Sequence, residues 1–307
     1  MFVAAAISAL REARTAQRAS AGARDVTHFP SVPQIEVAIA HLSAALYPRR
    51  LGDFAGLDDT EDQFVGDRLV QALDLLRGEI EREFAYWQVE SRSRFDPDQA
   101  DTVIRLFTAT LGGIRTSIDA DIEAAFLGDP AARSLDEILV CYPGAIAVRY
   151  HRIAHELHQL GVPIVARIIS ELANSRTGID IHPGASIGPG FFIDHGTGVV
   201  IGETSIIGAR VKLYQHVTLG ARSPLGLTTV GPRERYARHP IIEDDVIVYA
   251  GATILGRVTI GAGSTIGGNV WLLDDVPPGS IVAQPEASVV DGVPGEDLRA
   301  TLLGRAA

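Results

Sequence analysis

Between Ile242 and Val276 an aliphatic residue returns at every sixth position, through Ile242, Val248, Ile254, Ile260, Ile266 and Leu272. Four residues after each stands a second small or branched residue: Val246, Ala252, Val258, Ser264, Val270 and Val276. The same spacing runs upstream through Ile201, Ile207, Leu213 and Leu219, with Ser205, Val211 and Val217 between them. Neither the ~3.6-residue period of a helix nor the ~2-residue period of a strand gives sixes. A hexapeptide repeat marks a parallel β-helix, in which each hexad is one face of a coil of ~18 residues and the aliphatic positions point inward.

The first half of the chain has a different pattern, with apolar residues at helical spacing between capping and breaking signals. Ser31-Val32-Pro33 opens one helix. Thr60-Glu61-Asp62-Gln63 has capping-box spacing ahead of a long run to about Tyr86. Asp96-Pro97-Asp98 opens another helix towards Phe126, with Gly112-Gly113 as a candidate break or kink, and Gly128-Asp129-Pro130 is a turn. Shorter helices are expected over Ser134 to Cys141, Gly144 to Leu160 and Pro163 to Asn174. The fold class is therefore α+β: an N-terminal all-α domain (1–175), then a left-handed parallel β-helix of hexapeptide repeats (176–284), then a C-terminal tail (285–307). A β-helix leaves its end coils as open edges that need covering, a role suited to the helical half at one end and the tail at the other. A polar stretch at 221–237 interrupts the hexads and is expected to project beside a site.

Composition narrows the possibilities. Of 307 residues, 46% are hydrophobic and 21% charged, as in an ordinary globular chain with a sizeable core. A net charge of −11 excludes a basic nucleic-acid surface. No apolar run reaches the ~18 residues of a membrane span. The opening MFVAAAISAL lacks a basic leader region and cleavage site, so it reads, with Arg11, Arg14, Arg18 and Arg24, as a basic amphipathic helix. The lone cysteine, Cys141, permits no intramolecular disulfide and sits in an apolar run, which suggests a buried thiol and a cytoplasmic protein.

Polar residues that interrupt the hexads locate the chemistry. Asp180-Ile181-His182-Pro183 is followed by Asp194-His195-Gly196-Thr197-Gly198, and His195 comes fifteen residues after Asp180. That is slightly less than one coil, and coils stack ~4.8 Å apart, so the two side chains are expected to meet at one edge of the prism. A carboxylate on one imidazole nitrogen supports a ring that takes a proton on the other, which makes a general base for a hydroxyl. A polar corner with satisfied hydrogen bonds is the competing reading, and the residues alone leave both open.

The strings Asp180-Ile-His-Pro, Asp194-His-Gly-Thr-Gly-Val-Val-Ile-Gly-Glu203, Val217-Thr-Leu-Gly220, Arg238-His239-Pro240 and Ile254-Leu-Gly256 resemble the serine O-acetyltransferases, hexapeptide-repeat enzymes of cysteine biosynthesis. The likeness covers roughly Asp129 to Val282 and enters the helices through Gly128-Asp129-Pro130-Ala131 and Tyr150-His151-Arg152-Ile153-Ala154-His155. It implies that acetyl-CoA acetylates L-serine, with His195 as general base and Asp180 as its partner. It further implies that Asp129 and Asp194 bind the substrate ammonium, that Arg238 forks onto the carboxylate, and that His239 assists. Gly220, Ala221, Ala250 and Gly268 match positions lining the acetyl-CoA groove between neighbouring β-helices, where a larger side chain would block the pantetheine arm. Trimers through the β-helix, with sites between subunits, and a hexamer pairing two trimers are also implied.

The sequence departs from the family in three places. Loop 221–237 is longer than in compact members. After Val282 the chain reads Ala283-Gln284-Pro285-Glu286-Ala287-Ser288 where the family has a Gly-Val-Pro-Ala-Arg-like string. The family tail that docks into cysteine synthase ends in isoleucine, whereas this chain ends Arg305-Ala306-Ala307, so that complex is not expected.

Other histidines and aromatics read as structural. His182, beside Pro183, suits a fixed corner. His151, His155 and His158 lie at i, i+4 and i+7 on one helix, but no carboxylate completes a metal set and a helix surface or interface is expected. His216, Tyr249 and Trp271 take outward hexad positions, the last two suiting subunit contact. A β-helical carbonic anhydrase would need closely paired histidines, which the coil histidines are not. Acetyl transfer to homoserine or a sugar is the alternative activity, and opposite charges in Asp129, Asp194 and Arg238 favour a zwitterionic acceptor. A scaffold would have no use for a base–carboxylate pair.

Overall fold

In a computed structural model the chain is described over residues 2–20, 29–91, 95–96, 98–222 and 236–285. Among the described residues eight helices come first: α1 (Phe2–Ser20), α2 (Val32–Leu46), α3 (Pro48–Leu51), α4 (Asp58–Ser91), α5 (Gln99–Gly128), α6 (Leu135–Cys141), α7 (Pro143–Gln159) and α8 (Pro163–Thr177). Most starts follow the local chemistry. Ser31 is the N-cap of α2 with Pro33 in its first turn, and Ser134 caps α6 by accepting the Glu137 N–H. Two expectations fail. Helix α4 begins at Asp58, with Asp58, Asp59 and Glu61 complementing the positive helix end, while Thr60 Oγ1 bonds back to the Leu57 carbonyl. Gly112-Gly113 does not break α5, since the helix runs through both. Cys141 is a third correction. The inward positions of α6 are Ile138 and Leu139, and Cys141, two residues beyond Leu139 and so about 200° further round the helix, is exposed.

Fourteen short strands among the described residues then wind into three parallel sheets. β1 (Asp180–Ile181), β4 (Val200–Ile201), β7 (Thr218–Gly220), β10 (Thr253–Leu255) and β13 (Trp271–Leu272) form the first face. β2 (Ser186–Ile187), β5 (Ile206–Ile207), β8 (Ile241–Ile242) and β11 (Thr259–Ile260) form the second. β3 (Phe192–Ile193), β6 (Lys212–Leu213), β9 (Ile247–Val248), β12 (Thr265–Ile266) and β14 (Ile281–Val282) form the third. The hexad positions fill the prism: Ile201, Leu213, Leu219, Ile242, Val248, Ile254, Ile260 and Ile266 are all buried, with Leu272 at the last coil partly so. Each buried aliphatic of this kind contributes about 1.5–3 kcal/mol.

Register shows where the ruler stretches. Val200 pairs with Thr218, and Thr253 with Trp271, one 18-residue coil on. Asp180 pairs with Val200, Ser186 with Ile206 and Phe192 with Lys212, so the first coil takes 20 residues. The two extra residues lie in the corner between β3 and β4, which holds residues 194–199 where the next corner on that edge holds only 214–217. Thr218 pairs with Thr253 across the whole polar insertion, so loop 221–237 leaves the stack in register. Of that loop, residues 223–235 lie outside the described part, as does the tail beyond Pro285.

The helical layer seals the first coil. Arg152 of α7 donates to the carbonyls of Ile187 and Gly188, and Asp121 of α5 accepts the Phe191 N–H at 2.8 Å. The Asp121–Arg152 ion pair that makes these contacts is buried, so removing either partner would cost about 3–5 kcal/mol. His151 is buried against the same coil, His155 Nδ1 donates to the Pro183 carbonyl at 2.8 Å, and the His158 ring meets that of His182 at 5.9 Å. These histidines therefore form the domain junction. No group of three potential metal ligands occurs among the described residues. No described helix is long and apolar enough to cross a membrane.

Candidate active site

Two clusters of candidate side chains stand on two different edges of the prism. The first is at the enlarged corner between the third and first faces. Asp194 follows β3 and is 14% exposed, while His195 is in the left-handed region (φ 59°) with a side chain 74% exposed. Gly196 and Gly198 also have positive φ, which glycine adopts without strain. The six-residue corner thus turns His195 out of the wall. Asp194 Oδ1 lies 3.9 Å from His195 Nε2, and Oδ2 lies 3.2 Å from Lys212 Nζ.

The helical domain adds to this cluster. Asp129 is the C-cap of α5, so the helix end places it here. Its Oδ2 accepts from the Tyr142 hydroxyl at 2.6 Å, and its Oδ1 from the Ala131 N–H at 2.8 Å. The Tyr142 bond, then the Ala131 N–H and the nearby Lys212 and His195 charges, hold the Asp129 carboxyl below its ordinary range. The same bond pushes the Tyr142 phenol up to about 12. Gly144, at the start of α7, allows this approach: an added Cβ would come within 2.1 Å of the Ile193 carbonyl oxygen. Tyr142 and Lys212 carry no motif that sequence reading could have used. They become visible only once helix and coil are packed together.

Asp180 is not joined to His195 as expected. The expectation assumed an 18-residue coil, whereas the first coil has 20 and the coil partner of Asp180 is Val200. Asp180 pairs instead with Arg167 of α8 at 3.5 Å, and no hydrogen bond or ion pair links it to His195 among the described residues. The corner nevertheless lies beside its strand, since a Cβ on Gly196 would meet Ile179 at 2.4 Å. Burial raises the Asp180 carboxyl, with Arg167 opposing.

The second cluster lies on the edge between the first and second faces. Arg238 Nη2 is 2.6 Å from Glu203 Oε2, and the backbone N–H groups of Arg238 and His239 both donate to Thr204 Oγ1. His239 is buried. Its Nδ1 accepts the Thr204 N–H at 3.0 Å, which leaves Nε2 to carry the proton of the neutral ring. Burial, then the Arg238 charge, lowers His239 to about 4, against the pull of Glu203. Gly202 is needed here because an added Cβ would sit 2.0 Å from the His239 ring. Arg257 ties the corner by donating to the Thr204 and His239 carbonyls at 2.6 and 3.0 Å.

The groove positions divide the same way. Gly220 ends β7 on the Arg238 side, followed by Ala221, and the Gly256 N–H bonds to its carbonyl. A cleft of about 280 Å³ beside it has a floor of Leu255, Val258 and Leu273 and a rim of Arg222, Arg238 and Arg257. Ala250 and Gly268 lie one coil apart on the His195 edge, where the Asn269 N–H bonds to the Ala250 carbonyl. Tyr249 stacks on Tyr214 along that edge at 5.0 Å, and Trp271 is 65% exposed.

Residues 239–274 match the family model described as bacterial transferase hexapeptide (six repeats). The chain is 49% identical over 263 residues to a plasmid serine acetyltransferase of Synechococcus elongatus, spanning 84% of this chain and 82% of that protein. A serine acetyltransferase of Bacillus licheniformis is 46% identical over 175 residues, or 57% of this chain and 73% of its own. Among solved structures, serine acetyltransferase isoform 3 of Entamoeba histolytica in complex with cysteine has a TM-score of 0.70 at 35% identity over 87% of both chains. The Neisseria gonorrhoeae serine acetyltransferase in complex with serine has a TM-score of 0.54 at 26% identity, covering 81% of this chain and 97% of that one. With its helical domain and left-handed parallel β-helix of hexapeptide repeats, the chain belongs to the serine acetyltransferase family.

Proposed function

We propose that the protein transfers the acetyl group of acetyl-CoA to the hydroxyl of L-serine, giving O-acetyl-L-serine and CoA at a site completed by two copies of the chain. The observation that carries the two-copy reading is the separation of the clusters. Carboxylates for an ammonium (Asp129, Asp194) lie on one edge with the exposed imidazole, and the guanidinium for a carboxylate (Arg238) lies on another. A single small amino acid can touch both only where unlike edges of neighbouring prisms meet, which is how a closed trimer is built. The four groove positions divide between the same two edges, and the apolar floor with three guanidinium groups suits a pantetheine arm and the phosphates of CoA.

His195 takes the serine hydroxyl proton as the oxygen attacks the thioester carbonyl. The tetrahedral intermediate then expels the thiolate, the C–S bond breaks, and the imidazolium returns the proton to sulfur. His195 suits this role because its ring is exposed and free to turn. Asp180, on the strand beneath the corner, is the carboxylate assigned as its partner. His239, donating from Nε2, assists Arg238 at the substrate carboxylate.

Thiol release followed with serine, homoserine, threonine and amino sugars tests the reading. Serine should give the highest kcat/KM; no serine-dependent release, or a sugar outpacing serine, would overturn it. An Asp180→Asn variant with unchanged kcat would remove Asp180 from the mechanism.

A further inference from the structure

Lys212 is the one cation in the described part of the His195 cluster that pairs with Asp194, and the reaction described above gives it no role. It opens β6, one 20-residue coil above Phe192, and its side chain is only 16% exposed. Its ammonium reaches three things at once. It lies 3.2 Å from Asp194 Oδ2, it donates to the Gly128 carbonyl at 2.9 Å, and it sits over the Phe192 and Tyr214 rings at 4.7 and 4.5 Å. Gly128 is the last residue of α5 and directly precedes Asp129. The carbonyl end of a 30-residue helix attracts a cation, and two ring faces add cation–π attraction. Although burial pulls Lys212 down, its bonds to Tyr214 and Asp194 outweigh this and keep it charged.

We propose that Lys212 is a positioning residue for the acceptor half-site: it ties the carbonyl end of α5, next to Asp129, to Asp194 of the β-helix and takes up part of the charge that Asp194 presents to His195. The division of one carboxylate makes the case, since Oδ2 goes to Lys212 and Oδ1 faces the imidazole. Two carboxylates beside one substrate ammonium would leave the pocket with excess negative charge, which would hold a proton on His195 and keep the base occupied. A fixed ammonium offsets one of the two. The ionisable groups around His195 are Asp194 on its own corner, Lys212 on β6, Asp129 and Tyr142 from the helical domain, and Asp180 with Arg167 beneath. Lys212 contacts Asp194 directly, so its charge bears most on the balance.

This inference rests on the acetyl-transfer reading, and a wild-type protein without serine-dependent thiol release would fail that reading before Lys212 is tested. The experiment is the pH dependence of kcat/KM for serine in the wild type and in Lys212→Arg, Lys212→Gln and Lys212→Met. Glutamine can still donate to the Gly128 carbonyl but carries no charge, which separates the structural tie from the electrostatic one. In Gln and Met variants the acid limb should move up by about half to one pH unit, with KM for acetyl-CoA unchanged. Arginine should restore the wild-type limb. A wild-type limb in both neutral variants would overturn the proposal. So would failure of both to fold while Lys212→Arg folds, because Lys212 would then be a structural tie only.

Discussion

His195 stands with its ring in solvent in a left-handed corner, whereas His239, on the next edge of the same prism, is buried and fixed through Nδ1. The edge bearing His195 is enlarged by two residues and flanked by carboxylates, with the imidazole itself in solvent. The edge bearing His239 is tied at nearly every polar atom, with Thr204 bonding Arg238 and His239, Arg257 bonding two carbonyls, and Glu203 holding the guanidinium. The difference matches the roles proposed for the two edges. A base must reach a proton, take it and hand it on, which requires freedom to turn. A group that recognises a carboxylate is more effective when its geometry is set beforehand.

The strongest way to break this comparison is to disable one edge at a time. His195→Ala should lose about 10²- to 10⁴-fold in kcat while keeping the wild-type oligomer by light scattering. If each site is shared, mixing His195→Ala with Arg238→Ala subunits should restore roughly one quarter of wild-type turnover, since about one interface in four then pairs two intact edges. No recovery in mixed oligomers would place both half-sites in one chain. Arg238→Lys should be milder. Losing the bidentate fork should raise KM for serine about tenfold with kcat within a fewfold of wild type, read by initial rates.

Acid should affect the tied edge. Burial lowers both His182 and His239 to about 4, so the native state holds these rings neutral. The unfolded chain binds protons near pH 6.5, and the folded one only near 4. Their contribution to stability is complete above pH 6.5 and is lost as pH falls from 6.5 towards 4. Melting temperature should therefore drop through that window, and His239→Gln should flatten the decline. The smallest effect is expected on the third edge, where Arg210 pairs with Asp245 at 2.6 Å on the exposed surface. Arg210→Ala should leave both the urea midpoint and turnover at the wild-type level, measured by urea unfolding and thiol release.

The hexads Ile242 to Leu272 and Ile201 to Leu219 were enough to specify the prism, because a six-residue period fits one face of a coil and neither helix nor strand. The strings around Asp194-His195 and Arg238-His239 likewise marked the functional corners, since polar residues that interrupt an aliphatic period have no place in its core. Cys141 and Thr60 were misjudged because a turn of helix can face either way until its partner is known. The Asp180–His195 spacing misled because coil length was assumed, and two residues inserted at one corner shift every stacked partner on that coil.

Local sequence thus determined which residues point inward and where the repeat is interrupted, both properties of short-range backbone geometry. Only the tertiary structure decided that Asp129 and Tyr142 reach the His195 corner, that Lys212 lies between the Asp194 carboxylate and the carbonyl end of α5, and that Arg238 stands a face away from His195. Those placements depend on the packing of α5 and α7 against the first coil, and on the residues per coil, neither of which is written at any single position.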